Sequence, residues 1–300
     1  MSDLLDNLRL TDADEVCRVL DEGSAANFDS PCRTGSIDHV RGPGRLIATG
    51  DLHDNPVHFA RVCELAELES DAPTGPHVTF HELIHSDRLI NDMDLSYRVL
   101  VKIAALKAAR PERVHTLLAN HELAQIAGSG IVKDGLNVVK AFNDGVDYVF
   151  GSEYERVTAS LNTFIRSMPL ALRCTPTDAS RGDILCAHSL PPADLMERFD
   201  LSVLERPLTE DDYTPRRGSA HILVWGRSHD TDLIEQFAAR WGVGLFILGH
   251  EKAPEGFLAR GNRAVILNSD HERGVYLEVS LNGAAPTPAD LRPIRVVSGM

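Results

Sequence analysis

Along this chain a short apolar run repeatedly stops in a cluster of His, Asp or Asn. Leu46–Gly50 leads into Asp51-Leu52-His53, and Val114–Ala119 leads into Asn120-His121-Glu122. Asp183–Ala187 delivers His188, Gly244–Gly249 delivers His250, and Val78-Thr79-Phe80 ends in His81-Glu82 with His85 three residues on. Short β-rich runs bounded by turn residues read as buried strands. In open α/β sheets, ligands bind just beyond the carboxyl ends of such strands. Oxygen and imidazole donors converging there from five strands describe a metal site, one holding two ions.

Helical periodicities lie between these runs. The chain therefore reads as one alternating α/β unit, residues 46–300, behind an N-terminal helical extension and connector, residues 1–45. Residues 3–22 carry a loose helical pattern broken by Gly23, and 23–45 are rich in Gly, Ser and Pro. Asn55-Pro56 has the form of an N-cap followed by Pro at the first helical position, opening a helix to about Glu69, with a turn over 71–76. Asp94 is placed to cap a helix through Ala109, whose buried face carries Leu95, Val99, Leu100, Ile103 and Leu106. Further helices are expected at 133–143, at 152–167, after Pro191-Pro192, and from Asp232 to Trp241 with Gly242 as its stop. Strands are expected at 170–174, 183–187, 221–225, 244–249, 263–268 and 274–280, the last two as a hairpin with a long loop.

Thirty basic against 44 acidic residues give a formal charge of −14. Such a surface repels nucleic-acid backbones and anionic membranes, so neither a nucleic-acid polymer nor a membrane is an expected partner. A phosphate-handling site inside this acidic shell would draw its positive charge from bound metals. No apolar stretch approaches the length of a membrane span, and the acidic N-terminus shows no secretory signal. Cys17, Cys32, Cys63, Cys174 and Cys186 are odd in number and scattered, which fits reduced thiols in a cytoplasmic protein. No cysteine precedes an arginine at phosphate-loop spacing and no G-x4-G-K-[ST] occurs, which sets aside Cys-nucleophile phosphatase and P-loop chemistry.

Each donor cluster has a plainer alternative. Asp51 or Asp54 could simply cap the helix that follows, with Asp54 otherwise available to orient His53. Asn120 could end a strand, and His121 could be a ligand, a general acid or a surface residue. His188 and His250 gain weight from repetition, since similar clusters close five inferred strands.

Taken together, these segments resemble the calcineurin-like metallophosphoesterases, in the branch of phosphoprotein phosphatases and bacterial diadenosine-polyphosphate hydrolases. Gly50-Asp51-Leu52-His53-Asp54 is similar to that family's GDxHG, Ala119-Asn120-His121-Glu122 to GNHE, Ala187-His188-Ser189 to HGG, and Leu248-Gly249-His250-Glu251 to GHT. Val224-Trp225-Gly226-Arg227 resembles a segment that supplies a phosphate-binding arginine in bacterial members. The GDxxDRG pattern departs. In the equivalent stretch Glu82 stands where an aspartate bridges both metals, His85 where an aspartate backs the catalytic histidine, and Ser86 where an arginine binds phosphate. A shifted register through Asp87-Arg88 would put Ile84 at the bridging position, and an apolar side chain cannot ligate. Glu82 is therefore preferred, with His85, Asp87 and Arg88 as further candidates.

The resemblance implies an α/β fold of two mixed β-sheets packed as a sandwich flanked by helices. It implies that Asp51, His53 and Glu82 hold one divalent ion and that Glu82, Asn120, His188 and His250 hold a second. Mn, Fe and Zn all suit such donors. A metal-activated hydroxide would attack phosphorus, His121 would protonate the leaving group, and Arg227 would bind phosphoryl oxygens. The expected partner is a phosphorylated substrate: a phosphoprotein, a nucleotide or a dinucleoside polyphosphate. His229, Asp270 and His271 read as lesser candidates at the mouth. The altered Glu82 segment leaves a second reading open, a catalytically weakened member acting as a metal-binding or scaffold protein.

Overall fold

The computed structural model describes residues 2–68, 74–128, 131–133 and 135–296. Glu69 and positions 71–73 of the expected turn lie outside the described residues. Among those described, seven strands form the larger sheet in the spatial order β1 (Arg33–Thr34), β2 (Ile37–Arg41), β8 (Ala171–Thr175), β9 (Asp183–Ala187), β10 (Val243–Leu248), β12 (Ala264–Leu267) and β11 (Phe257–Arg260). Five form the smaller: β14 (Ile294–Arg295), β13 (Val275–Ser280), β3 (Arg45–Thr49), β4 (His77–His81) and β5 (Val114–Leu117). Both sheets are mixed. β3, β4 and β5 run parallel, as do β9, β10 and β12, while β8, β11 and β13 pair antiparallel to their neighbours β9, β12 and β3.

The period-two alternation of strand side chains divides the apolar residues into two layers. Leu46, Ala48, Leu172, Cys174, Ile184, Cys186, Leu245, Ile247 and Leu277 meet between the sheets. Ile47, Phe80, Ala171, Leu185, Phe246 and Ile266 face outward under helices. These are α1 (Ser2–Asp6), α2 (Ala13–Phe28), α3 (Pro56–Leu65), α4 (Tyr97–Ala109), α5 (Asn120–Ala127), α6 (Val138–Phe150), α7 (Tyr154–Ser167), α8 (Ser219–Val224) and α9 (Thr231–Trp241). No described helix is long and apolar enough to cross a membrane.

Several elements differ from the sequence expectation. α2 continues through Gly23, because a Cβ there would lie 2.7 Å from Ala104 Cβ and the bare backbone lets α4 approach. The stretch read as a connector contributes β1 and β2 to the larger sheet. α4 starts after Ser96, and Asp94 instead accepts the Ser96 N–H at 2.9 Å in the preceding turn. α6 begins at Val138 behind an Asn137 cap, since a small hairpin, β6 (Val132–Lys133) and β7 (Leu136–Asn137), occupies the expected first turn. Residues 221–224 are helical rather than a strand, a choice that periodicity cannot make for so short an apolar run. β12 and β13 are no hairpin: they belong to different sheets, and β12 pairs instead with β11, which sequence reading did not find.

A buried ionic group ties the two sheets. Asp38 of β2, fully buried, accepts hydrogen bonds from Arg33 Nε at 2.9 Å and His115 Nδ1 of β5 at 2.8 Å, with Lys107 Nζ of α4 at 3.8 Å. Burial raises the Asp38 pKa, but His115, Lys107 and Arg33 outweigh it and hold the carboxyl well below the usual carboxylate range. A depressed pKa contributes stability above the unfolded value of about 4, and that contribution is lost as pH falls toward the folded value. Asp38→Asn is expected to cost about 3–5 kcal/mol at neutral pH, because partners chosen for a charge are left without it. Urea unfolding at pH 7 and pH 3 checks this, and the variant should lose less stability on acidification than the parent chain.

Candidate metal centre

Parallel strands of both sheets end at one edge, and β3, β4, β5, β9 and β10 each deliver a donor there. β3 passes through Gly50 to Asp51, and a Cβ on Gly50 would sit 2.1 Å from Leu267 O, so glycine permits the close passage of β12. β4 ends in His81 and leads to Glu82. Asn120 and His121 open α5 immediately beyond β5, His188 follows β9, and His250 follows β10. All seven side chains are at least nine-tenths buried. His53, Glu82, His85 and His250 adopt left-handed backbone with φ of 43°, 48°, 62° and 67°. Such conformations cost about 1–3 kcal/mol each and persist only where the surroundings enforce them. Here Glu82 O accepts from the N–H groups of Leu52 and His53 at 3.1 and 2.8 Å, and Glu122 Oε1 accepts from those of Leu83 and Ile84 at 2.6 and 3.3 Å.

Glu82 lies at the centre. Its Oε1 is 2.9 Å from His53 Nε2 and 3.5 Å from His121 Nε2, while its Oε2 is 2.7 Å from His188 Nε2 outside hydrogen-bond geometry. His188 Nε2 also lies 2.6 Å from Asn120 Oδ1 and 3.0 Å from His250 Nδ1. Three donor triples result: His53, Glu82 and His121; Glu82, His188 and His250; and Asp51, His81 and His188. Asp51 accepts the His250 N–H at 2.9 Å. The resemblance paired Asp51 with His53, whereas the triple holding His53 contains His121 and the triple holding Asp51 contains His81.

Most of the donor imidazoles are held neutral, whereas the His188 pKa is raised: burial opposes its charge, but Glu82 and Asp51 outweigh it. Burial pushes His81 down to about 4 and His121 to about 3, and it holds His250 well below the usual histidine range. Burial and then the charge of Glu82 raise Asp51 to about 7. Burial likewise opposes ionisation of Glu82, but His188, His121 and His53 outweigh it and keep that carboxyl ionised. His53 Nδ1 donates to Ile84 O at 2.9 Å, so its Nε2 needs either a second proton or a cation to face Glu82 Oε1. Buried His250 Nε2 has no hydrogen-bond partner. Neutral imidazoles around a buried carboxylate, with polar atoms left over, fit divalent transition metals.

His85 is not in a donor triple. Gln125 donates through its amide nitrogen to Asn143, so its Oε1 accepts from His85 Nε2 at 3.1 Å. His85 Nδ1 is thereby left to accept from His121 Nδ1 at 2.9 Å. Asp87 is exposed and outside the triples, and Arg88 donates to His53 O at 3.1 Å and to Asp270 O at 3.3 Å. Arg227 donates to His250 O at 3.0 Å and lines a cavity of about 460 Å³ above the donors, shared with Trp225, Lys252, Asp270 and His271. His229 is turned away, donating to Leu190 O at 2.7 Å. Sequence reasoning gave no role to His81 or Glu122, although each adjoins an assigned donor in the same strand-end cluster.

No protein-family model matches the sequence, and no curated sequence matches it. Among solved structures the chain is similar to a protein serine/threonine phosphatase from Saccharomyces cerevisiae with similarity to human phosphatase PP5, at 16% identity and a TM-score of 0.67 over 93% of this chain and 87% of that one. It is also similar to a cold-active protein-tyrosine phosphatase of a psychrophilic Shewanella species, at 11% identity and a TM-score of 0.56 over 84% of this chain and 80% of that one. Identities this low speak to architecture alone, and the two mixed sheets with their flanking helices agree with it. The chain has the fold of the calcineurin-like metallophosphoesterases.

Proposed function

We propose that the chain is a dinuclear metal-dependent phosphohydrolase, cleaving phosphate esters or anhydrides of a phosphoprotein, nucleotide or dinucleoside polyphosphate in the cytoplasm. The carrying observation is Glu82, whose two carboxylate oxygens are divided between His53 and His121 on one side and His188 on the other. Asp51, His53 and Glu82 would hold one ion; Glu82, Asn120, His188 and His250 would hold the other. Two such cations supply Lewis acidity toward phosphorus and a nucleophile drawn from water at neutral pH. Arg227, anchored on the His250 carbonyl, orients phosphoryl oxygens through its remaining guanidinium donors. His121 turns Nε2 to the donor cluster because its Nδ1 proton is committed to His85; Nε2 would first take up the proton released as water becomes the nucleophile and would then pass it to the leaving group. A pure scaffold would have no use for His121.

Metal-reconstituted protein should hold two Mn²⁺, Fe²⁺ or Zn²⁺ ions by elemental analysis. Glu82→Gln should lower occupancy of both sites together with phosphatase activity, because one carboxylate serves both. Protein that binds no metal would sink the proposal, and a silent Glu82→Gln would move the bridging role elsewhere.

His121→Asn should keep its metal but lose about 10²–10⁴-fold in rate on alkyl phosphates, whose leaving groups need a proton. Para-nitrophenyl phosphate should suffer less, since nitrophenolate departs unprotonated. Equal losses on both substrates would remove His121 from proton transfer.

A further inference from the structure

We propose that His81 is a positioning residue that fixes the tautomer and ring orientation of His188; the inference rests on the two-metal reading. His81 is buried at the end of β4, with Nε2 2.9 Å from Thr49 O. A carbonyl only accepts, so Nε2 carries the proton and Nδ1 is left with a lone pair. That Nδ1 lies 3.2 Å from His188 Nδ1. Two bare nitrogens would repel at this distance, and Asp51 Oδ1, 3.6 Å from His188 Nδ1, would add a third acceptor. The proton therefore sits on His188 Nδ1 and is donated to His81. On the two-metal reading a cation replaces a second proton, and His188 Nε2 offers it a lone pair where Glu82 Oε2, Asn120 Oδ1 and His250 Nδ1 converge. Ligating histidines are commonly oriented through their second nitrogen in this way.

The relay is anchored in the sheet and built into the packing. Thr49 is held to β4 through its N–H to Thr79 Oγ1 at 3.1 Å and its own Oγ1 to Thr79 O at 2.7 Å. The rings of His81 and His188 meet edge to face at 72°. A Cβ on Gly249 would come within 2.6 Å of His81 Cε1 and 2.2 Å of Asp51 Oδ1, so the glycine before His250 makes room for both. The motif this segment resembles has glycine at the position of His81, so an imidazole support for His188 belongs to this chain rather than to that pattern.

Imidazole ¹⁵N–¹H spectra of the Zn²⁺-loaded full chain, labelled at histidine, test the assignment directly. His188 should be protonated at Nδ1 and metal-bound through Nε2, and the reverse pattern would overturn the proposal. In competition with a chromophoric chelator, His81→Leu should weaken Zn²⁺ binding at one of the two sites by about 10–100-fold, the usual effect of removing such a partner. His81→Asn places an amide oxygen where Nδ1 stood, and it should recover most of that affinity. Variants that melt like the parent chain yet bind Zn²⁺ equally well, or an Asn variant as weak as Leu, would refute the positioning role. So would three ions in the parent chain and two in His81→Leu, which would make His81 a ligand. A parent chain that binds no Zn²⁺ or Mn²⁺ would instead overturn the two-metal reading itself.

Discussion

Glu82 puts a carboxylate that is 4% exposed among the imidazoles of His53, His121 and His188. Burying an ion costs several kcal/mol unless opposite charge and hydrogen bonds compensate it. Burial lowers the proton affinity of His81, His121 and His250, so they give no charge to compensate it, whereas at His188 burial is outweighed by Glu82 and Asp51, which raise its affinity. Divalent cations would meet both demands, neutralising the carboxylate and taking up the lone pairs that the neutral rings present.

That carboxylate is aimed by backbone as much as by side chain. Glutamate is one methylene longer than aspartate, and Glu82 leaves β4 through a left-handed turn at φ 48°. The turn persists because both flanks are hydrogen-bonded: the Glu82 carbonyl is held by Leu52 and His53 of the neighbouring strand end, and the next two N–H groups by buried Glu122. Glu122 thus acts on the cluster from α5 without facing it, and the same helix carries Asn120, His121 and Gln125 into place.

The strand-end donors were legible in the sequence because each follows an apolar run, and a parallel strand has to end where its ligand begins. Asp51, Asn120, His188 and His250 stand out in this way without any structure. His81 was harder to weigh, since a histidine closing a strand looks like the end of a buried run, and its importance depends on a partner 107 residues away. The 221–225 run and the supposed β12–β13 hairpin failed for a related reason: which sheet a short apolar segment joins is decided by long-range pairing, which local pattern does not encode. Gly23 misled because its role is to admit Ala104, not to end a helix.

Electrostatics then sets the order of events at the site. The lining of the cavity carries four carboxyl side chains, Asp51, Glu82, Glu251 and Asp270, against two cationic ones, Arg227 and Lys252. The surrounding chain is itself acidic at −14. A phosphate approaching the metal-free cavity meets a net negative wall, and Arg227 alone does not reverse it. With all four carboxyls ionised the lining has a deficit of two, and on the proposed two-metal reading the four positive charges of the ions would turn it into an excess of two. Recognition of phosphate would then be coupled to metal loading rather than to a preformed basic pocket, with Arg227 adding orientation to an attraction that the ions provide.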